Sequence, residues 1–219
     1  MLTVIKPPRL LIAVALCFLL SISLSQAASP KSLLKDLKKK YSIARTFQAK
    51  YSELFEWAMT GEKVQTEGTI YIGEDDRFRL ESPEQLVVCD GQAVYRWNRR
   101  KGQVMIEAVS ESADKLLPRR LMLDFADEFT AVESTELAVD GKPGCRLDLQ
   151  SDKPDELLMT AATVWTTSED NVVRRLKFED LNRNNTTYTF KEIVFDAALD
   201  STLFQFTPPE GAEVFDLRE

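Results

Sequence analysis

The sequence predicts a mainly β (α+β) protein: one large, curled antiparallel sheet with short helices laid across one of its faces. Three observations carry that prediction. Apolar and polar residues alternate with period two through 68–106: Ile70 and Ile72 share a face, as do Phe78 and Leu80, then come the branched run 86–88, Val94 and Arg96 opposite Tyr95 and Trp97, and the pair Val104 and Ile106. The joints between these runs are turn chemistry: Gly73-Glu74-Asp75-Asp76, Ser82-Pro83, Asp90-Gly91 and Arg100-Lys101-Gly102. Asp-Gly between two apolar runs is the strongest short hairpin signal among them. Runs of the same kind return after residue 130 and bring the total to eleven or twelve strands, joined mostly by hairpins, a number at which a sheet curls.

Taken in order, residues 1–27 read as a cleaved secretory signal peptide. Lys6 and Arg9 form its charged head, 10–24 its uncharged apolar run, and Ser25-Gln26-Ala27 a small-x-small cleavage site. The run is short for a membrane span, which needs about 20 apolar residues; an uncleaved anchor is the alternative. Cys17 lies inside the run, and Ala28-Ser29-Pro30 offers no cysteine for lipid attachment. The expected mature chain, 28–219, is a single domain of 192 residues, long enough to bury a real core. Its net charge moves from −7 for the whole sequence to about −9 once Lys6 and Arg9 are gone. Such a surface gives no footprint for nucleic acid and is repelled by anionic headgroups, although simple solubility explains it as well.

Residues 29–43 carry a helix signature, with Ser29 as N-cap and Pro30 in the first position. Leu33, Leu34, Leu37 and Tyr41 fall on one stripe, and lysines crowd the C-terminal half, where they complement the helix dipole. From Ala44 the period switches to two: Phe47, Ala49 and Tyr51 alternate against Gln48 and Lys50, and a further run reaches Trp57 and Met59 before Gly61. After the meander, 110–114 is a polar connector. Within 115–129, Leu116, Leu117, Leu121, Met122, Phe125 and Phe129 recur at helical spacings, divided by Pro118 into two short pieces. Strands are expected again at 131–138, 145–150, 157–166, 172–179, 186–195 and 203–207.

The side chains expected on the inner face are Phe47, Phe78, Leu80, Val87, Val94 and Phe190, with Leu34, Leu37, Leu121, Met122 and Phe125 on the helices above them. They either pack as an ordinary core or line an apolar cavity. A slip of one residue in register would turn every strand assignment outward.

The inventory for catalysis is thin. With no histidine, the usual general base near neutral pH, the Ser-His-Asp and Cys-His arrangements and histidine metal sites are all ruled out. Glycine occurs eight times and never in a phosphate-loop spacing. The acidic groups Glu74-Asp75-Asp76 and Asp124 with Asp127 and Glu128 fall in turns or on polar helix faces and read as solvated surface. No enzyme, cofactor or metal is expected. Cys89 and Cys145 remain after the leader, and whether they pair is open, since a bridge needs their Cα atoms within about 7 Å.

Several of these residues, in this order, resemble a known family. Gly68-x-Ile70-x-Ile72, Phe78-Arg79-Leu80, Pro83, the run 86–88, Asp90-Gly91, Tyr95, Trp97, Asn98, Gln103-Val104 and the closing Phe204-x-Phe206-Thr207-Pro208-Pro209-Glu210-Gly211 are similar to the pattern of the periplasmic outer-membrane lipoprotein carriers, the LolA family. The resemblance covers nearly the whole chain after the leader. It implies an incomplete β-barrel of about eleven strands around a hydrophobic cavity, with the N-terminal helix and the Pro118 pieces as its lid. It also implies a soluble periplasmic monomer whose acylated lipoprotein cargo comes from an inner-membrane ABC-type releasing transporter and passes, where one exists, to an outer-membrane acceptor lipoprotein.

One departure stands out: the family usually places an Arg-Pro pair just after the first meander strand, its arginine holding the lid through bonds to lid backbone. Here Glu74 and Asp75 occupy those positions, and a carboxylate cannot donate such bonds. The latch is then absent, supplied by Arg77 or Arg79, or replaced by apolar packing. Two alternatives share the fold: a periplasmic regulatory or sensing domain, which usually has a second domain for which the sequence after Pro208-Pro209 is short, and a carrier of another lipid such as a glycolipid.

Overall fold

Helix α1 (Pro30–Ser42) begins where its cap dictates: the Ser29 hydroxyl accepts from the Ser32 N–H at 3.2 Å, Pro30 fills the first turn, and Lys39 and Lys40 close the last. The computed structural model describes residues 29–109 and 127–218, so the leader and the predicted lid residues Leu121, Met122 and Phe125 lie outside the described residues. After α1 come β1 (Phe47–Glu56), β2 (Lys63–Ile72), β3 (Phe78–Glu81), β4 (Gln85–Cys89), β5 (Ala93–Asn98) and β6 (Gln103–Ala108). Then follow β7 (Phe129–Val139), β8 (Lys142–Ser151), the one-turn helix α2 (Pro154–Leu157), β9 (Met159–Thr167), β10 (Val173–Asp180), β11 (Asn185–Phe195), a 3-10 turn (Ser201–Phe204) and β12 (Glu213–Asp216).

The strands form one twelve-stranded sheet in the order β12-β6-β5-β4-β3-β2-β1-β11-β10-β9-β8-β7. Two antiparallel meanders, β1 to β6 and β7 to β11, are thus joined side by side where β1 pairs with β11. The sheet is open rather than a closed barrel, because β12 and β7 are its two outer edges. The expected mainly β architecture and its large curled sheet are therefore present.

Register decides which side chains share a face. Phe47 lies opposite Ile72, Ile72 opposite Phe78, Phe78 opposite Cys89 and Cys89 opposite Val94; one step along, Leu80 lies opposite Val87, and Tyr51 opposite Phe190. All six strand residues predicted for the inner face therefore do share one face, the one that carries α1. Gly68 sits at a close backbone approach: a Cβ there would lie 2.2 Å from the Glu81 carbonyl oxygen and 2.9 Å from the Tyr51 hydroxyl.

The C-terminal segment covers the outer face of the N-terminal meander. Phe206 packs on Tyr95 and Trp97 with ring centroids 5.7 and 6.2 Å away, and Phe204 lies against Gly73 with the Arg77 guanidinium over its ring. Three expectations need correction here. Residues 203–207 do not form a strand, because the Asp200 carboxylate accepts from the Thr202 N–H at 2.9 Å and starts the 3-10 turn instead. The last strand is β12, and it runs parallel to β6, so the sheet is not wholly antiparallel. Strand β9 starts at Met159 rather than 157, since α2 ends in Leu158 at φ 56°.

Candidate ligand-binding face

The inner face is apolar but not uniform. Phe47 and Phe190 belong to the main core, with Leu37 and Tyr41 of α1, Ile70 and Ile72 of β2, and Leu147, Val164 and Leu176 of the C-terminal meander. Phe78, Val87 and Val94 form a smaller cluster with Cys89, and half-buried Leu80 touches both. Apart from Leu80, each of the six is at most 6% exposed. Among the described residues these five side chains are therefore packed rather than lining open space.

Among the described residues, helix α1 covers the C-terminal meander and packs into a core that also reaches Phe47, Ile70 and Ile72 of β1 and β2. It packs mainly on β7 and β8, with Tyr41 edge-on to Phe195 of β11, and it is held at its end by polar bonds: the Tyr41 hydroxyl accepts from the Val173 N–H at 2.8 Å, and Lys40 donates to the Asp170 carbonyl. Lys38 forms an ion pair with Asp127. Burial pushes the Tyr41 phenol far above its ordinary range, so it remains a neutral hydroxyl. Of the two predicted lid residues on this helix, Leu37 is a core residue; Leu34 is partly buried and borders a gap of about 340 Å³ with Phe129 and Ala131.

Polar groups interrupt the face at a few points. Arg96 and Glu107, whose register puts them on the inner side of β5 and β6, form an ion pair at 3.5 Å. Glu53 follows Tyr51 on the inner side of β1, and burial raises its carboxyl above the usual carboxylate range. Cys145 lies 3.2 Å from the Thr166 hydroxyl beside a cavity of about 510 Å³ reaching Leu33, while Cys89 is buried in the smaller cluster. Both thiols are free, and the pairing left open by the sequence is not formed.

Among the described residues, Arg77 and Arg79 bond the C-terminal segment and their own neighbouring turn and strand. Arg79 lies opposite Val88 and Tyr71, hence on the outer face, where it binds Glu81 and the Leu203 carbonyl; Arg77 bonds the Glu74 carbonyl and covers Phe204. Both arginines fasten the C-terminal segment. Among the described residues no group of three or more potential ligands is placed to hold a metal ion, and no helix is long and apolar enough to cross a membrane. Sequence reasoning passed over Glu53, although the row Ala49, Tyr51, Glu53, Phe55 shows an acid at period two within an apolar set.

An open half-barrel with an apolar, partly helix-covered inner face is the class of protein that these features define. The family described as outer membrane lipoprotein carrier protein LolA matches residues 42–207, from the end of α1 to just before β12, and the chain belongs to that family. An outer-membrane lipoprotein carrier protein of Alkalilimnicola ehrlichii is 26% identical over 212 residues, covering 95% of each chain. One from Chromohalobacter salexigens is 29% identical over 161 residues, 70% of this chain and 73% of that one. Among solved structures, an uncharacterized conserved protein from Thermus thermophilus superimposes with a TM-score of 0.52 at 13% identity, over 84% of this chain and 96% of that one, a likeness of fold alone.

Proposed function

We propose that this protein is a soluble periplasmic carrier that binds the acyl chains of lipoproteins on the inner face of its half-barrel and ferries them from an inner-membrane ABC-type releasing transporter to the outer membrane. The observation that carries this reading is the shared face of Phe47, Phe78, Leu80, Val87, Val94 and Phe190 on an open sheet. Family membership and the two carrier relatives support it. The role is binding, not catalysis. Binding free energy comes from apolar area, and release needs only that the covered and uncovered arrangements differ by a few kcal/mol.

Uptake of a fluorescent N-acylated peptide by the purified protein tests the proposal. Saturable binding that Leu80→Arg abolishes, in a variant whose thermal unfolding remains cooperative, is the expected result. Absence of uptake by the wild-type protein, or uptake indifferent to Leu80→Arg and Val87→Asp, would sink the carrier reading and move the regulatory alternative ahead.

A further inference from the structure

Two polar side chains of β1 face the apolar inner surface with no described group to satisfy them. Tyr51 and Glu53 are two residues apart on that face, roughly 7 Å along the strand. They stand level with Gly68 and Thr66 of β2 and with Phe190 and Tyr188 of β11. Neither the Tyr51 hydroxyl nor the Glu53 carboxylate has a hydrogen-bond or ion-pair partner among the described residues. Aromatic rings surround them instead, with Tyr188 at 6.3 Å from the Tyr51 ring and stacked at 6.1 Å on Phe190. The basic residues of β1, β2 and β11, namely Lys50, Lys63 and Lys191, all lie on the other face. Burial, and then the charge of Glu53, pushes the Tyr51 phenol up to about 12, so it is a neutral donor at any physiological pH. Half-buried on an apolar face yet still reached by solvent, both groups are available to a polar ligand group.

We propose that Tyr51 and Glu53 form a subsite for the polar junction of the cargo, and that this junction is an amide at the head of an acyl chain, its N–H donating to Glu53 and its carbonyl accepting from the Tyr51 hydroxyl. The proposal rests on the carrier reading and narrows it to a class of acyl ligand. A carboxylate or phosphate head is repelled by Glu53. An ester or ether has no hydrogen to give it, and an ammonium satisfies Glu53 but leaves the Tyr51 hydroxyl without an acceptor. An amide presents donor and acceptor on two separate atoms, whereas a hydroxyl presents both on one oxygen, and an N-acylated peptide carries the amide beside its chain.

Displacement of a neutral apolar dye by N-methyldodecanamide and by methyl dodecanoate, an almost isosteric pair differing in the one N–H, tests this directly. Wild-type protein is expected to bind the amide about tenfold or more tightly than the ester, since only the amide has an N–H for the Glu53 carboxyl oxygen to accept. Glu53→Leu abolishes the preference while both probes still bind, and Tyr51→Phe reduces it. Should Glu53→Leu fail to fold, Glu53→Gln, which keeps an acceptor without the charge, is expected to retain part of the preference. Equal affinities in the wild type, or a preference untouched by these substitutions, overturn the inference while leaving the carrier reading intact. If neither probe binds the wild-type protein, both fall together.

Discussion

The two halves of the inner face are covered in different ways. Over the C-terminal meander and the adjoining β1 and β2, α1 packs into a large core that takes in Phe47, Ile72 and Phe190, and polar bonds from Lys40 and Tyr41 to the β9–β10 turn and the start of β10 fix its end. Over the N-terminal meander, Phe78, Val87, Cys89 and Val94 form a small separate cluster whose other described apolar neighbours are Leu80 and Val109. The outer face of this second half is itself buried under Phe204 and Phe206. One half is thus packed under α1, and the other is packed from behind by the C-terminal segment. On the carrier reading proposed above, stability and ligand exchange would be separated on one sheet.

Substitutions can break this comparison. Phe47→Ala, in the helix-covered half, is expected to cost about 3–5 kcal/mol in chemical denaturation, whereas Val87→Ala in the meander half is expected to cost about 2 kcal/mol or less and to weaken acyl uptake more than stability. Equal losses at the two positions would mean that the halves are one core. Tyr41→Phe removes the acceptor of the buried Val173 N–H and is expected to destabilise by about 1–3 kcal/mol with no change in acyl affinity; a drop in affinity instead would make α1 a participant in binding.

Acid sensitivity sharpens the same picture, because each half has a carboxylate that fastens a turn. Burial alone would raise Asp90, but the N–H groups of Ala93 and Gln92 and the Tyr95 hydroxyl outweigh it and hold the carboxyl below its usual value. Asp170 is likewise lowered, since the Thr167 hydroxyl, the Val172 N–H, Arg174 and Lys40 overcome its burial. A depressed folded-state value means stability present above the unfolded carboxylate value, about 3.9, and lost as pH falls through the folded one. Asp170→Asn should flatten the acid limb of the Tm-versus-pH curve for unfolding as a whole. Asp90→Asn should act chiefly on hydrogen-exchange protection of the β4–β5 hairpin. An unchanged acid limb in both variants would contradict these roles.

The smallest expected effect has the opposite sign. Glu53 is raised by burial, so its contribution is greatest below the unfolded carboxylate value and declines as pH rises through the folded one. Glu53→Gln should therefore raise Tm slightly at pH 7 and not at pH 4. A Tm gain that is the same at both would remove the burial explanation.

Much of the fold was legible in the sequence, and its particulars show why. Ser29 and Pro30 fix the start of α1, Asp90-Gly91 makes the β4–β5 hairpin, and the alternation from Ile70 to Val94 puts the right side chains on one face, because each of these signals is local or set by the pleat. The edge strand β12 was not legible. It is four residues long, its Val214 and Phe215 are both apolar and show no alternation, and it pairs with a strand about 110 positions earlier. The split of the inner face into two clusters was hidden for a similar reason: which strands α1 covers is set by tertiary contacts of Tyr41 and Lys40, not by the helix's own stripe. The direction of Arg79 needed the structure too, since only register shows that it points outward.

The most direct test of the carrier account is native mass spectrometry of the protein taken from the periplasm, with extraction of whatever is bound. The account predicts co-purified acylated peptide or protein, lost in Leu80→Arg. A bare polypeptide mass that stays unchanged when N-acylated peptide is offered would show the inner face to be packed core and nothing more.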